Sequence, residues 1–257
     1  MTFSLRFTAD LTLALAARAL RAAHGCPVIL HLSAEHNFDL ALASRSGPQA
    51  SDHLFQSVAR VSRYRSPIIW IGGSEPLGHP QVARFSNALA ASGRHVFVET
   101  SGESLKQRLH EFRPSSHVCF AVRFASTQPV PDQRTSSEAG LRVGLEALRM
   151  ARLAGFFTCA HLVVHPDGSL SELEDLHAEI LRLDVDGFLI TPAALTPELQ
   201  KAVVQLRRRL LSRRWSLLSS FLEASLSPSP SRISQPIERH PLPESQPGSF
   251  GGSAEAG

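Results

Sequence analysis

Ile69-Trp70-Ile71-Gly72-Gly73-Ser74-Glu75-Pro76-Leu77-Gly78-His79-Pro80 breaks from an apolar run into paired glycines and a glutamate. A strand ending where backbone must approach another group closely has this form, because glycine adds no Cβ and tolerates unusual dihedrals. Similar apolar runs recur at 27–33, 67–72, 95–100, 117–123, 157–164 and 186–191. Their Val, Ile, Phe and Leu content suits strands covered on both faces. Helical patterns fall near 50–64, 80–92, 103–112, 137–154, 170–182 and 197–213. Leu141, Leu145 and Leu148 form a stripe that should face the sheet. Thr135 with Glu138 and Ser169 with Glu172 have capping-box spacing, and Thr196-Pro197 sets a capping residue before a first-turn proline. Six β/α units imply an α/β fold with a parallel sheet and right-handed crossovers. Periodicity alone leaves a curled partial barrel and a flat doubly wound sheet both open.

The chain has 257 residues, 43% of them hydrophobic, enough for one substantial core without staples. Its three cysteines, Cys26, Cys119 and Cys159, match no disulfide framework and no zinc spacing, and a reducing cytoplasm is the expected compartment. Cys119 and Cys159 fall inside the fourth and fifth strands and are expected to be buried and inert. The formal charge is +3, with Arg207, Arg208, Arg209, Arg213 and Arg214 clustered. They are expected to form a solvated last helical turn that opposes the helix dipole, and no nucleic-acid partner is expected.

Three segments carry a resemblance. Pro27-Val28-Ile29-Leu30-His31-Leu32 leads into His36-Asn37-Phe38-Asp39-Leu40-Ala41-Leu42-Ala43; Gly72, Gly73, Glu75 and Pro76 follow the second strand; Val96-Phe97-Val98-Glu99-Thr100-Ser101-Gly102 ends the third. In these segments the chain resembles radical S-adenosylmethionine (radical SAM) proteins, with a flavour of those linked to hopanoid synthesis. That family has Cys-x-x-x-Cys-x-x-Cys after its first strand, Gly-Gly-Glu-Pro after its second and Thr-Ser-Gly or Thr-Asn-Gly after its third. Here Ser74 is one residue extra, and the three cysteine positions hold His36, Leu40 and Ala43.

The resemblance implies an open (β/α)6 partial TIM-type barrel with an N-terminal helix. It also implies a cofactor site of Gly72, Gly73, Glu75, Thr100 and Ser101, with Glu75 receiving the methionyl amine and the third strand end lying near the ribose. In the family three thiolates hold a four-iron cluster that passes an electron to the sulfonium. Leu40 and Ala43 have no lone pair for iron, so no 4Fe-4S cluster and no catalytic residue are expected, while S-adenosylmethionine stays the candidate ligand. The expected role is a catalytically silent binding or accessory protein, with an active radical SAM paralogue or another protein as candidate partner. The alternatives are an active enzyme with an atypical cluster and a barrel-type metal-dependent hydrolase.

The hydrolase alternative arises because His161 and His165 share a strand face and could converge with His31, His36, Glu99 and Asp167, yet no spacing is a zinc signature; hydrogen-bonded core or surface histidines are the plainer reading. Arg123, expected to end the fourth strand, could bind a carboxylate or phosphate, or pair with Glu99. No Gly-x-Ser-x-Gly and no Gly-x-x-x-x-Gly-Lys-[Ser/Thr] is present. Leu11 to Ala23 reads as an amphipathic helix, interrupted by Arg18 and Arg21 and too short to span a bilayer; peripheral membrane contact is its alternative role. The expected domains are a helical lead-in at 1–25, the barrel at 26–222 and a Ser/Pro/Gly-rich tail at 223–257, disordered from about residue 225 for want of apolar area.

Overall fold

The computed structural model describes residues 29–33, 57–64, 66–73, 75–126, 134–166, 170–194 and 196–210, with the single residues Ala9, Thr12, Leu13, Ala16 and Leu222. The cluster-motif positions 36–43, Cys26, most of the lead-in helix and nearly all of the tail lie outside the described residues.

Six parallel strands run in sequence order: β1 (Ile29–Ser33), β2 (Ile68–Gly72), β3 (His95–Thr100), β4 (Val118–Ser126), β5 (Phe157–Val164) and β6 (Gly187–Pro192). Helices alternate with them along the chain, and the sheet curls into an open partial TIM-type barrel. The expectation of six β/α units holds, and the flat alternative does not. No helix among the described residues is long and apolar enough to cross a membrane.

Strand periodicity sorts the side chains into two layers. Ile69, Ile71, Val96, Val98, Phe120, Val122, Phe124, Ala160, Leu162, Phe188 and Ile190 point outward and are buried under the helices. Ile29, Ile68, Trp70, Phe97, Cys119, Ala121, Cys159 and Leu189 point inward and pack with Leu222 into a second cluster that fills the concave side. Trp70 stacks on Phe97 with ring centroids 5.3 Å apart. Cys119 and Cys159 are buried in this floor as expected. Desolvation, followed by the neighbouring Cys159 and Asp186, pushes the Cys119 thiol well above its ordinary range.

The helix Arg134–Leu153 covers β4 and β5, and its expected stripe is present: Leu148 is fully buried, with Leu141 and Leu145 packed beside it. It starts earlier than expected. Thr135 lies inside its first turn instead of at the cap, because the helix already begins at Arg134. Thr196 does cap the last helix, Pro197–Leu210, its hydroxyl accepting from the Leu199 amide at 3.4 Å. The segment at 103–112 divides into Leu105–Arg108 and a 3-10 turn at Leu109–Glu111.

Two other expectations change. β4 continues to Ser126, because Phe124, Ala125 and Ser126 go on pairing with Leu162, Val163 and Val164; Arg123 therefore sits inside the strand, directly beside His161. Arg207 is not a solvated end-of-helix charge. Its Nε and Nη2 donate to the Ile190 carbonyl at 3.0 and 2.6 Å, which ties the last helix to β6, while Arg209 pairs with Glu174 on the preceding helix.

Close packing at the strand ends requires glycine at position 102. Its φ is +100°, and an added Cβ would stand 2.9 Å from Ala147 Cβ. Gly102→Ala should lower stability by about 1–3 kcal/mol through strain and overpacking, read as a drop in the urea midpoint without a change in slope.

Candidate functional site

The carboxyl ends of parallel strands are where open α/β sheets and barrels expose backbone groups to ligands. At this end the β2 and β3 termini are joined by one side chain. Glu75 Oε1 accepts from Thr100 Oγ1 at 2.7 Å, and its Oε2 accepts from the Ser101 amide at 2.9 Å and Ser101 Oγ at 2.6 Å. Thr100 Oγ1 accepts in turn from the Gly102 amide at 3.0 Å. Gly73 takes φ +121°, open to glycine alone at little cost, and this turns the chain from β2 toward Glu75. The Gly73 carbonyl accepts from Arg123 Nη1 at 3.2 Å. The six residues singled out in the sequence, Gly72, Gly73, Glu75, Thr100, Ser101 and Arg123, therefore occupy one mouth.

Arg108, which carries no motif signal, clamps this loop from outside. Its guanidinium donates to the carbonyls of Leu77, His79 (2.7 Å) and Pro80 (3.0 Å), and pairs with Glu111 at 2.6 Å. A planar fork with five donors can hold three carbonyls and a carboxylate together; lysine cannot.

Beneath the mouth lies a polar layer resting on the apolar floor. Glu99 points inward from β3 and is 8% exposed, and His161 from β5 and Thr191 from β6 are 5% and 4% exposed. Glu99 Oε1 lies 2.9 Å from His161 Nδ1, and His161 Nε2 lies 2.8 Å from Thr191 Oγ1. Trp70 Nε1 donates to Glu99 Oε2 at 3.4 Å, and the Trp70 and His161 rings meet edge to face. Glu99 pairs in register with Ala121, a small inward residue over which the carboxylate can reach the imidazole two strands away. Gly72 is equally necessary, since an added Cβ would stand 3.0 Å from Glu99 Oε2 and 3.4 Å from Trp70 Nε1.

Burial acts to raise the Glu99 pKa, but it is outweighed by the His161 hydrogen bond and charge, Arg123 and the Trp70 donor together, so the carboxyl is held below its ordinary range. The pairing of Glu99 with His161 was among the convergences considered in the sequence, whereas Thr191 was not; alternation along 187–191 could have placed it on the inner face. His165 follows β5 and is half-buried, and His31 is on β1. Among the described residues no group of three or more His, Cys, Asp or Glu is placed to hold a metal ion.

The two described thiols do not suit an iron–sulfur cluster. Both are buried in the floor, and burial favours the protonated form of Cys119, which is a poor ligand. Three of about four acceptor positions on the Glu75 carboxylate are already used.

No protein-family model matches the sequence, and no curated protein is significantly similar to it. Among solved structures, the chain is similar to Streptococcus suis SuiB bound to S-adenosylmethionine, with 11% identity and a TM-score of 0.49 over 77% of this chain and 52% of that one. SuiB bound to the precursor peptide SuiA gives 11% and 0.49 over 77% and 50%; archaeal TYW1 gives 13% and 0.41 over 63% and 59%. The chain spans about half the length of the SuiB chains.

Acid should act on this site in two stages. Burial first, and Arg108 second, lower the His79 pKa, so below about 6.5 the unfolded chain takes up a proton that the folded chain resists, and stability falls. The Glu99 contribution is complete above the ordinary carboxylate value of 4.5 and is lost as pH falls through the depressed folded value. Urea midpoints measured from pH 8 to pH 3 should decline in both windows, and Glu99→Gln should flatten the second. Glu75→Ala, which leaves the Ser101 amide and two hydroxyls without their acceptor, should cost about 2–4 kcal/mol in the same assay.

Proposed function

We propose that this chain is a radical-SAM-like barrel that has lost its cluster ligands and serves as a binding or accessory protein, silent in radical chemistry. The observation that carries the reading is the union of the Gly-Gly-Ser-Glu-Pro and Thr-Ser-Gly strand ends through Glu75. Two motifs 25 residues apart in the chain meet at one mouth, in the arrangement that the resemblance leads one to expect of a cofactor-binding edge.

The cluster positions of the same resemblance hold His36, Leu40 and Ala43. One imidazole cannot replace three thiolates. The mouth then offers a ligand the backbone of Gly72 and Gly73, the open acceptor of Glu75, the Ser101 hydroxyl and the guanidinium of Arg123, while the buried Thr100 hydroxyl holds Glu75 in place. An S-adenosylmethionine-like molecule suits these groups, with its amine toward Glu75 and its ribose toward the end of β3. Without the cluster the anchoring is weaker, which fits a protein that works beside an active paralogue.

Anaerobic reconstitution with iron and sulfide tests the loss of ligands. We expect no stoichiometric iron and no charge-transfer absorbance, and incorporation of four irons per chain would refute the reading. Calorimetric titration with S-adenosylmethionine tests the mouth: saturable binding should weaken about tenfold or more in Glu75→Gln, through loss of a charged contact. A titration without saturable heat would remove the ligand assignment.

A further inference from the structure

The proposed ligand mouth makes no use of Thr191, His161 and Glu99, which stand in the order hydroxyl, imidazole, carboxylate. An ionised carboxylate is acceptor-only, so His161 Nδ1 must carry the hydrogen that Glu99 Oε1 accepts at 2.9 Å. In the neutral ring this leaves Nε2 with a lone pair, and the hydrogen of the 2.8 Å contact belongs to Thr191 Oγ1. Both contacts fall inside the range of about 2.6–3.2 Å that couples a nucleophile to its base and the base to an orienting group. Glu99 and Thr191 each stand one residue from the ends of β3 and β6, and His161 stands three residues inside the end of β5.

We propose that Thr191, His161 and Glu99 form a nucleophilic triad that transfers the acyl group of a small ester to Thr191 and then to water. Thr191 Oγ1 forms a bond to the ester carbonyl carbon while its proton passes to His161 Nε2. The carbon–oxygen bond to the leaving group breaks, and that oxygen takes the proton from Nε2. Water attacks the acyl-threonine with His161 again as base, which releases a carboxylic acid and restores the hydroxyl. Glu99 keeps the imidazole in the required tautomer throughout and opposes the charge it gains, as in other triads recognised by role and not by sequence position. Neither oxidant nor metal is needed. Trp70 and Phe97 fill the floor below the trio and the three side chains are themselves buried, so the substrate class proposed is an ester with a small acyl group.

The full-length protein treated with p-nitrophenyl acetate, under stopped-flow absorbance and peptide mass mapping, tests this directly. Wild type should release a burst of p-nitrophenol and carry one acetyl group on Thr191 that water slowly removes. Thr191→Val should abolish the burst and the acetyl group, and Thr191→Ser should retain both. His161→Gln should slow acylation by about a hundredfold or more, the scale of a lost general base. Circular dichroism establishes that each variant is folded; if Thr191→Val is not, the mapped position of the acetyl group in wild type decides. Folded wild type that gains no acetyl group, or gains it on another side chain, overturns the proposal, as does a burst unchanged in folded Thr191→Val.

Discussion

A carboxylate buried inside a barrel must be neutralised by its surroundings or it will not stay charged. Glu99 meets this constraint with groups from three other strands: the Trp70 indole on β2, the Arg123 guanidinium on β4 and the His161 imidazole on β5. His161 passes the connection on to Thr191 on β6. Removing the His161 donor would leave the Glu99 carboxylate short of a partner away from water, at a cost of about 1–3 kcal/mol or more. The concave layer is therefore fixed as a unit, and the mouth above it inherits that rigidity.

The geometry depends on small residues in the right places. Gly72 leaves room for Glu99 and Trp70, and Ala121 leaves a gap across which β3 and β5 side chains meet. Gly73 turns the chain so that Glu75 can reach Thr100 and Ser101, while Arg108 holds the following turn from outside. A rigid floor, a polar layer and a mouth tied by hydrogen bonds follow one another along the barrel axis. This is the layout in which a few strand-end residues can set chemistry while the scaffold stays constant.

Much of the fold was legible because strands covered on both faces leave long apolar runs and helices leave stripes such as Leu141, Leu145 and Leu148. The mouth was legible through its glycines and the hydroxyls of Thr100 and Ser101. The extension of β4 to Ser126 was not, since Arg123 looks like a strand terminus until the inner layer is seen to supply Glu99 as its counter-charge. Thr191 gave no local signal, because its role comes from a contact with a residue 30 positions away. The carbonyl-binding roles of Arg108 and Arg207 were hidden for the same reason: backbone acceptors carry no mark in the sequence. The readings at 36–43 and in the tail rest on sequence alone.

An ionised Glu99 dictates which nitrogen of His161 bears hydrogen. Nitrogen-15 NMR of histidine-labelled protein at neutral pH, with His161 assigned by comparison with His161→Gln, reads this directly. The expected spectrum has a protonated Nδ1 and an unprotonated Nε2 for His161, with the pattern lost in Glu99→Gln. A His161 ring with hydrogen on Nε2 alone, or one averaging between tautomers as a solvent-exposed imidazole does, would contradict it.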